Sequence, residues 1–368
     1  MGQECQLNDR EKELLTVLGK NPEMSLKGLL NNTKYKRVSS ISKKINYFRE
    51  QDILLGPTHY VDLGKLCINP ICKLFCILEL NQSSETVIEY LKLIESLIWV
   101  YPVLSSREEL LTAGFLSSNH QEVKALLQLL KESNIITDYT VRVRRHKLIL
   151  ENPNFFGDPV PSLDMLLNPC EFPDISFGQY DTEWTECDIA VLSHLHGGFK
   201  SIKLIEILKR ERKLYNRKWT YNQIKYSYEK MLKNKLIWKI YYIHPYPLSQ
   251  CADFFLFMKT EDIEVTQTIL YNFAREERIH REYSLLGDWG LMGCICHPRF
   301  ILDLMLKLDS IDEIAQKELY HVRSNPPGMR YIGGHAEFAH YDVETQKLEY
   351  PYKLFKEKIR EKLESESG

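Results

Sequence analysis

The sequence predicts an α+β chain in which one series of elements, three helices, a strand-turn-strand and a βαββαβ sheet, occurs twice. Two observations carry this. Residues 33–54 and 216–237, about 183 positions apart, hold one pattern: Val38, Ile41, Ile45, Phe48, Ile53 and Leu54 in the first, and Tyr221, Ile224, Tyr228, Met231, Leu236 and Ile237 in the second. Both stripes fall at helical spacing and alternate with basic residues, Lys36, Arg37, Lys43, Lys44 and Arg49 against Arg217, Lys218, Lys225, Lys230 and Lys233. Behind each pattern come short β-like runs and amphipathic helices in the same order.

In the first half, Asn8-Asp9 caps a helix through Leu14, Leu15 and Leu18, and Met24-Ser25 opens a second with Leu26, Leu29 and Leu30. After the turn at Asn31-Asn32-Thr33, a third helix spans about Lys36 to Gln51, and Ile53 to Val61 reads as a strand-turn-strand with Gly56-Pro57 at the turn. Three helices and such a wing make a winged helix-turn-helix. Leu74–Leu80, Glu85–Leu97, Trp99–Leu104, Leu110–Leu116, Gln121–Ser133 and Ile135–Val143 then give the βαββαβ order of a ferredoxin-like sheet, helices on one face. The other face needs its own cover.

The second half repeats the order. Cys187–Leu195 ends at Gly197-Gly198, Ile202–Arg212 and Tyr221–Lys233 follow, and Trp238–Ile243 with Pro245 and Pro247 is wing-like. A second βαββαβ series runs from Phe254 to Val322. The expected domains are residues 7–66 and 185–250 (winged helix-turn-helix), 67–150 and 251–325 (ferredoxin-like sheets), 151–184 (an acidic, Pro-rich linker) and 326–368, an extension with Gly333-Gly334 and a charged helix from about Tyr352 to Leu363. Extended, the linker could span about 100 Å, so two sheet domains packed face to face could belong to one chain, as an intrachain pseudo-dimer, or to a homo-oligomer.

Charge is segregated although the chain totals −2. Residues 8–60 hold 10 Lys/Arg against 6 Asp/Glu and residues 200–244 hold 13 against 3, whereas residues 151–188 hold 9 acids and no base. Two basic islands on a near-neutral protein point to a local polyanion-binding surface. No run of 18 apolar residues and no apolar h-region are present, and nine cysteines lack a disulfide-scaffold spacing; a cytoplasmic protein is expected.

On these grounds the candidate DNA-binding residues are Lys36, Arg37, Ser39, Ser40, Lys43 and Lys44 in the first half, and Arg217, Lys218, Thr220, Asn222, Gln223 and Lys225 in the second. Short polar and basic side chains at a helix start reach phosphates and base edges of double-stranded DNA. Cys294-Ile295-Cys296-His297 puts two thiols on one strand face, but a structural zinc takes four ligands, and the pair reads as buried strand cysteines. His321, His335 and His340, with Arg323, Arg330, Tyr331 and Tyr341, read as ordinary loop polarity. No phosphate loop, catalytic triad or His-Glu-x-x-His occurs. No metal, cofactor or catalytic residue is expected, and the chain reads as a non-enzyme.

LNDREKELLTVLGKNPEMSLKGLL with VSSISKKINYFREQDIL, and REYSLLGDWGLMGCICH, resemble the three helices and the central hairpin of the Lrp/AsnC (feast/famine) transcriptional regulators. The likeness covers roughly residues 7–147 and 185–325, two copies where the family has one per chain. It implies a DNA-binding regulator. It also implies an effector site, for a small molecule such as an amino acid, near the Gly287-Asp288 turn; the corresponding Ser105-Ser106-Arg107-Glu108-Glu109 lacks that pair. Two alternatives stand beside it: a sirohaem decarboxylase-like tetrapyrrole enzyme on the same fold, with His280, Arg281 and Tyr283 as candidate residues, and a protein-interaction scaffold with degenerate winged helices.

Overall fold

The computed structural model describes residues 7–105, 109–196, 202–323, 331–332 and 338–367. In chain order the first half comprises α1 (Asp9–Lys20), α2 (Leu26–Asn31), α3 (Val38–Glu50), β1 (Leu54–Val61), the single turn α4 (Leu63–Leu66), β2 (Cys72–Leu80), α5 (Ser84–Leu91), β3 (Leu97–Val103), β4 (Leu110–Ser117), α6 (His120–Glu132), β5 (Ile136–Arg144) and β6 (Ile149–Glu151). The second comprises α7 (Glu186–Leu195), α8 (Leu204–Tyr215), α9 (Tyr221–Lys233), β7 (Ile237–Ile243), β8 (Ala252–Thr260), α10 (Ile263–Asn272), β9 (His280–Leu286), β10 (Trp289–Cys296), α11 (Pro298–Asp309), β11 (Ile314–His321), β12 (Tyr331–Ile332), β13 (Tyr341–Asp342), β14 (Lys347–Leu348) and α12 (Tyr352–Ser367). The fold is α+β, and three helices, a strand and βαββαβ do occur twice. None of the helices among the described residues is long and apolar enough to cross a membrane.

The expected wing is corrected. Leu54–Val61 does not fold back at Gly56-Pro57 but runs as one strand, and its partner is β7 from the second half. His244 N donates to Ile53 O at 2.8 Å and Asp62 N to Leu236 O at 2.8 Å, near the two ends of this pairing. A lone strand would leave a row of backbone donors and acceptors without partners.

The chain divides into two compact units, and each draws on both halves. Unit 1 holds residues 1–58, 146–175 and 239–322. Its winged-helix core is Leu14, Leu15, Leu18, Leu29, Ile41, Ile45 and Phe48, joined by Phe155 and Ile243. Asn8 caps α1 in a reciprocal capping box with Glu11. The sheet of unit 1 has the order β11-β8-β10-β9-β6, and α10 and α11 cover one face through Ile269, Leu270, Phe300, Leu304 and Leu308. Leu163, Leu166 and Ile175 enter the same core, so the Pro-rich segment, irregular as its composition implies, is packed in place rather than loose.

Unit 2 holds residues 59–145, 176–238 and 323–368. Its sheet has the order β12-β3-β4-β2-β5, with α5 and α6 on one face, and one core joins this sheet to α7, α8 and α9. The charged C-terminal helix belongs here. α12 packs on α6, burying Phe355 and Ile359, and Glu95 accepts from Lys358 Nζ at 2.7 Å. The Tyr352 hydroxyl accepts from Ser118 N and Asn119 N at 3.1 and 3.2 Å, at the start of α6.

One ionic cluster around a buried guanidinium fixes the edge of the unit 1 sheet. Arg281 is 1% exposed. Its Nη1 donates to the carbonyls of Leu270, Tyr271 and Phe273 at 3.2, 2.8 and 2.7 Å, satisfying the C-terminus of α10. Nε and Nη2 donate to Glu151 Oε2 at 3.0 and 2.6 Å, and the Tyr283 hydroxyl donates to Glu151 Oε1 at 3.1 Å. Glu151→Ala leaves this guanidinium buried and unbalanced, and urea unfolding should show a loss of about 3 kcal/mol. An unchanged midpoint would rule out this cluster as what pins β6 to β9.

Candidate functional site

In an antiparallel sheet, directly paired residues point to the same face. On the helix-free face of the unit 2 sheet the pairing aligns Trp99 (β3), Gly114 (β4), Phe75 (β2) and Arg142 (β5) in one row. Lys73 and Arg144 pair in the next row, and Tyr101 pairs with Thr112 on the other side. Gly114 decides how the row is built: a Cβ there would sit 2.4 Å from the Trp99 ring. Without it the indole lies flat on the sheet, stacked on Tyr101 (centroids 5.1 Å, 21°) and edge-on to Phe75 (5.0 Å, 64°). Arg142 and Arg144 are buried, each 8% exposed, and Arg144 Nε has no hydrogen-bond partner among the described residues. A flat aromatic surface beside buried guanidiniums can take a planar ligand that carries anionic groups.

The helix-free face of the unit 1 sheet has the same row with different chemistry: Glu282 (β9), Gly293 (β10), Phe255 (β8) and Tyr320 (β11). The Gly–Phe pair recurs, but an acid and a phenol stand where the other sheet has Trp99 and Arg142. His280, next to this row, is 2% exposed, with its ring 5.8 Å from Tyr242 and 6.3 Å from His244. Its Nδ1 has no hydrogen-bond partner among the described residues, and its Nε2 lies 3.7 Å from Glu282.

Of the three residues singled out for tetrapyrrole chemistry, His280 shares the helix-free face with Glu282. Arg281 and Tyr283 point into the helix-covered core and are committed to Glu151. Burial, with the Glu151 charge behind it, pushes the Tyr283 phenol well above its ordinary range.

The predicted DNA-facing residues separate in the same way. Lys36, Arg37, Ser39, Ser40 and Lys43 are exposed before and along α3, whereas Lys44 pairs with the buried Glu11 at 2.6 Å and lies over Tyr47. On α9 and the residues before it, Lys218 and Asn222 are exposed, as is Lys225, which lies 3.6 Å from Glu229. Arg217 is held by Glu186 and Glu211 at 2.9 and 3.4 Å and stacks on Trp219, and Thr220 and Gln223 form the capping box of α9.

Gly287 occupies the β9–β10 turn at φ +67°, where glycine is favoured, and the exposed Asp288 pairs with Lys259. Cys294 and Cys296 are buried strand residues, and burial raises the pKa of both thiols. His321 lies in unit 1, its pKa lowered by burial, while His340 lies in unit 2, its Nε2 2.8 Å from Glu95 Oε2. Ser106, Arg107, Glu108, Gly197, Gly198, Arg330, Gly333, Gly334 and His335 lie outside the described residues.

Arg142 and Arg144 were not among the sequence candidates. Their signal was there: in Val141-Arg142-Val143-Arg144 charge alternates with apolar residues at strand period, which puts both cations on one face.

No protein-family model matches the chain, and no curated protein does. Among solved structures, the sirohaem decarboxylase NirDL matches with a TM-score of 0.52 at 10% identity, over 98% of this chain and 100% of that one. NirDL in complex with an iron-uroporphyrin III analogue matches with a TM-score of 0.50 at 11% identity, over the same shares. The leucine response regulatory protein of Mycobacterium tuberculosis covers 37% of this chain and 91% of its own, at 15% identity and a TM-score of 0.29. The likeness to NirDL is one of fold along nearly the whole chain. It corrects the expectation of a non-enzyme, because the architecture that matches end to end is that of an enzyme.

Proposed function

We propose that this chain is an enzyme acting on a tetrapyrrole, on the plan of the sirohaem decarboxylases. The observation that carries the reading is the helix-free face of the unit 2 sheet. A tetrapyrrole is a flat apolar macrocycle with carboxylates on its rim. The indole of Trp99, laid over Gly114 and stacked on Tyr101, matches the flat part. Arg142, Arg144 and Lys73 match the carboxylates, which guanidiniums bind through paired hydrogen bonds. Burying a guanidinium costs several kcal/mol unless anions or carbonyls surround it, and a ligand carboxylate is such a partner for Arg144.

The first test is incubation with sirohaem, gel filtration and an absorbance spectrum. Retained tetrapyrrole absorbance is expected, with loss of CO2 from the tetrapyrrole seen by mass spectrometry. Arg144→Ala and Arg142→Ala should each weaken binding at least about tenfold, the scale of one charged hydrogen bond, with unchanged thermal melting. No retained absorbance at micromolar protein and ligand would end this reading.

A second reading, binding of double-stranded DNA, is favoured by one observation: Lys36, Arg37, Ser39, Ser40 and Lys43, and Lys218 and Asn222, remain exposed at the winged helices. Titration of labelled duplex against salt should give a steep fall of log affinity with log salt, and Lys218→Ala should reduce the slope by about one. Salt-independent binding, or none at low salt, would remove DNA from the account.

A further inference from the structure

A cleft of about 870 Å³ opens in unit 2 between α7, α8 and residues 338–344. None of the aromatic and basic residues of the sheet face lines it. Its volume falls among the roughly 300–1,000 Å³ of small-molecule sites. Beneath it lies a buried polar pair: His194 Nε2 is 2.6 Å from Glu211 Oε1, with side chains 9% and 3% exposed. Ile189, Ala190, Phe338 and Val343 supply an apolar wall.

The charges decide which ligand fits. Of the lining carboxylates, Glu186 and Glu211 are both engaged by Arg217, and Asp342 accepts from Glu344 N and Thr345 Oγ1 within its own turn. Across from the apolar wall, α8 contributes Lys209, Arg210 and Lys213, all exposed. With Glu186 and Glu211 ion-paired to Arg217, the three cations of α8 outnumber the remaining acids, Asp342 and Glu344, and the cleft offers an apolar surface beside a row of cations.

From this arrangement we infer that the cleft binds a small organic anion, its apolar body against Phe338 and Val343 and its acidic group against Lys209, Arg210 and Lys213. This inference is independent of tetrapyrrole binding, since the two sites share no residue.

Two fluorescent probes of similar shape and different charge test it on the full chain: 8-anilino-1-naphthalenesulfonate, an anion, and N-phenyl-1-naphthylamine, which lacks the sulfonate. The anion should bind saturably and at least about tenfold tighter than the neutral probe, the scale of a charged hydrogen bond. Arg210→Glu with Lys213→Glu should abolish that preference while cooperative melting is retained, and Lys213→Gln should reduce it in part. Arg144→Ala, on the sheet face, should leave it unchanged. Equal binding of the two probes, a preference that survives charge reversal, or one lost with Arg144→Ala would each overturn the assignment.

Discussion

A β-strand needs at least one neighbour for its backbone donors and acceptors, and in this chain that constraint determines the course of the backbone. Leu54–Val61 follows a three-helix domain and needs a partner for its backbone donors and acceptors. Gly56-Pro57 does not turn the strand back on itself, so the partner comes from the second half, Ile237–Ile243. Both compact units accordingly take residues from both halves, the first winged helix grouping with the second sheet and the second winged helix with the first. A chain cut at its midpoint would divide both units.

The helix-free sheet faces show how one backbone serves two chemistries. Gly114 opposite Phe75 and Gly293 opposite Phe255 occupy the same place in the two sheets. Glycine on the third strand of each series leaves room above the sheet, and in unit 2 Trp99 takes that room. The flanks then differ: cations and an indole in unit 2, Glu282 and Tyr320 in unit 1. On the tetrapyrrole reading this difference would give the carboxylate-binding role to unit 2, since an acid at the corresponding place in unit 1 repels the same groups.

Much of the fold was legible in the sequence. The stripes Ile41, Ile45, Phe48 and Ile224, Met231 follow helical period because each helix buries one face, and both are buried in the structure. The βαββαβ order was legible because strands covered on one face alternate and helices recur every three or four residues. The site was less so. Arg281 and Tyr283 stand beside His280 in sequence, but strand alternation sends them to the helix-covered face, and Glu151, 130 positions before Arg281, claims both. Likewise Lys44, Arg217, Thr220 and Gln223 have the right chemistry for a polyanion, yet a buried acid or a helix cap occupies each.

By itself, the sequence determined the kinds of element, their order and their recurrence, because local period and capping are written in residues close together along the chain. The tertiary structure alone decided which strands pair and which polar side chains remain available to a ligand. The partner of Leu54–Val61 lies more than a hundred residues away, and so does the acid that claims Arg281. A strand edge accepts any extended backbone in register, so nothing within Leu54–Val61 names β7 as its neighbour. The availability of a charge depends on whether the fold has set a counter-charge against it, as Glu151 is against Arg281, whereas Arg144 Nε has no hydrogen-bond partner among the described residues.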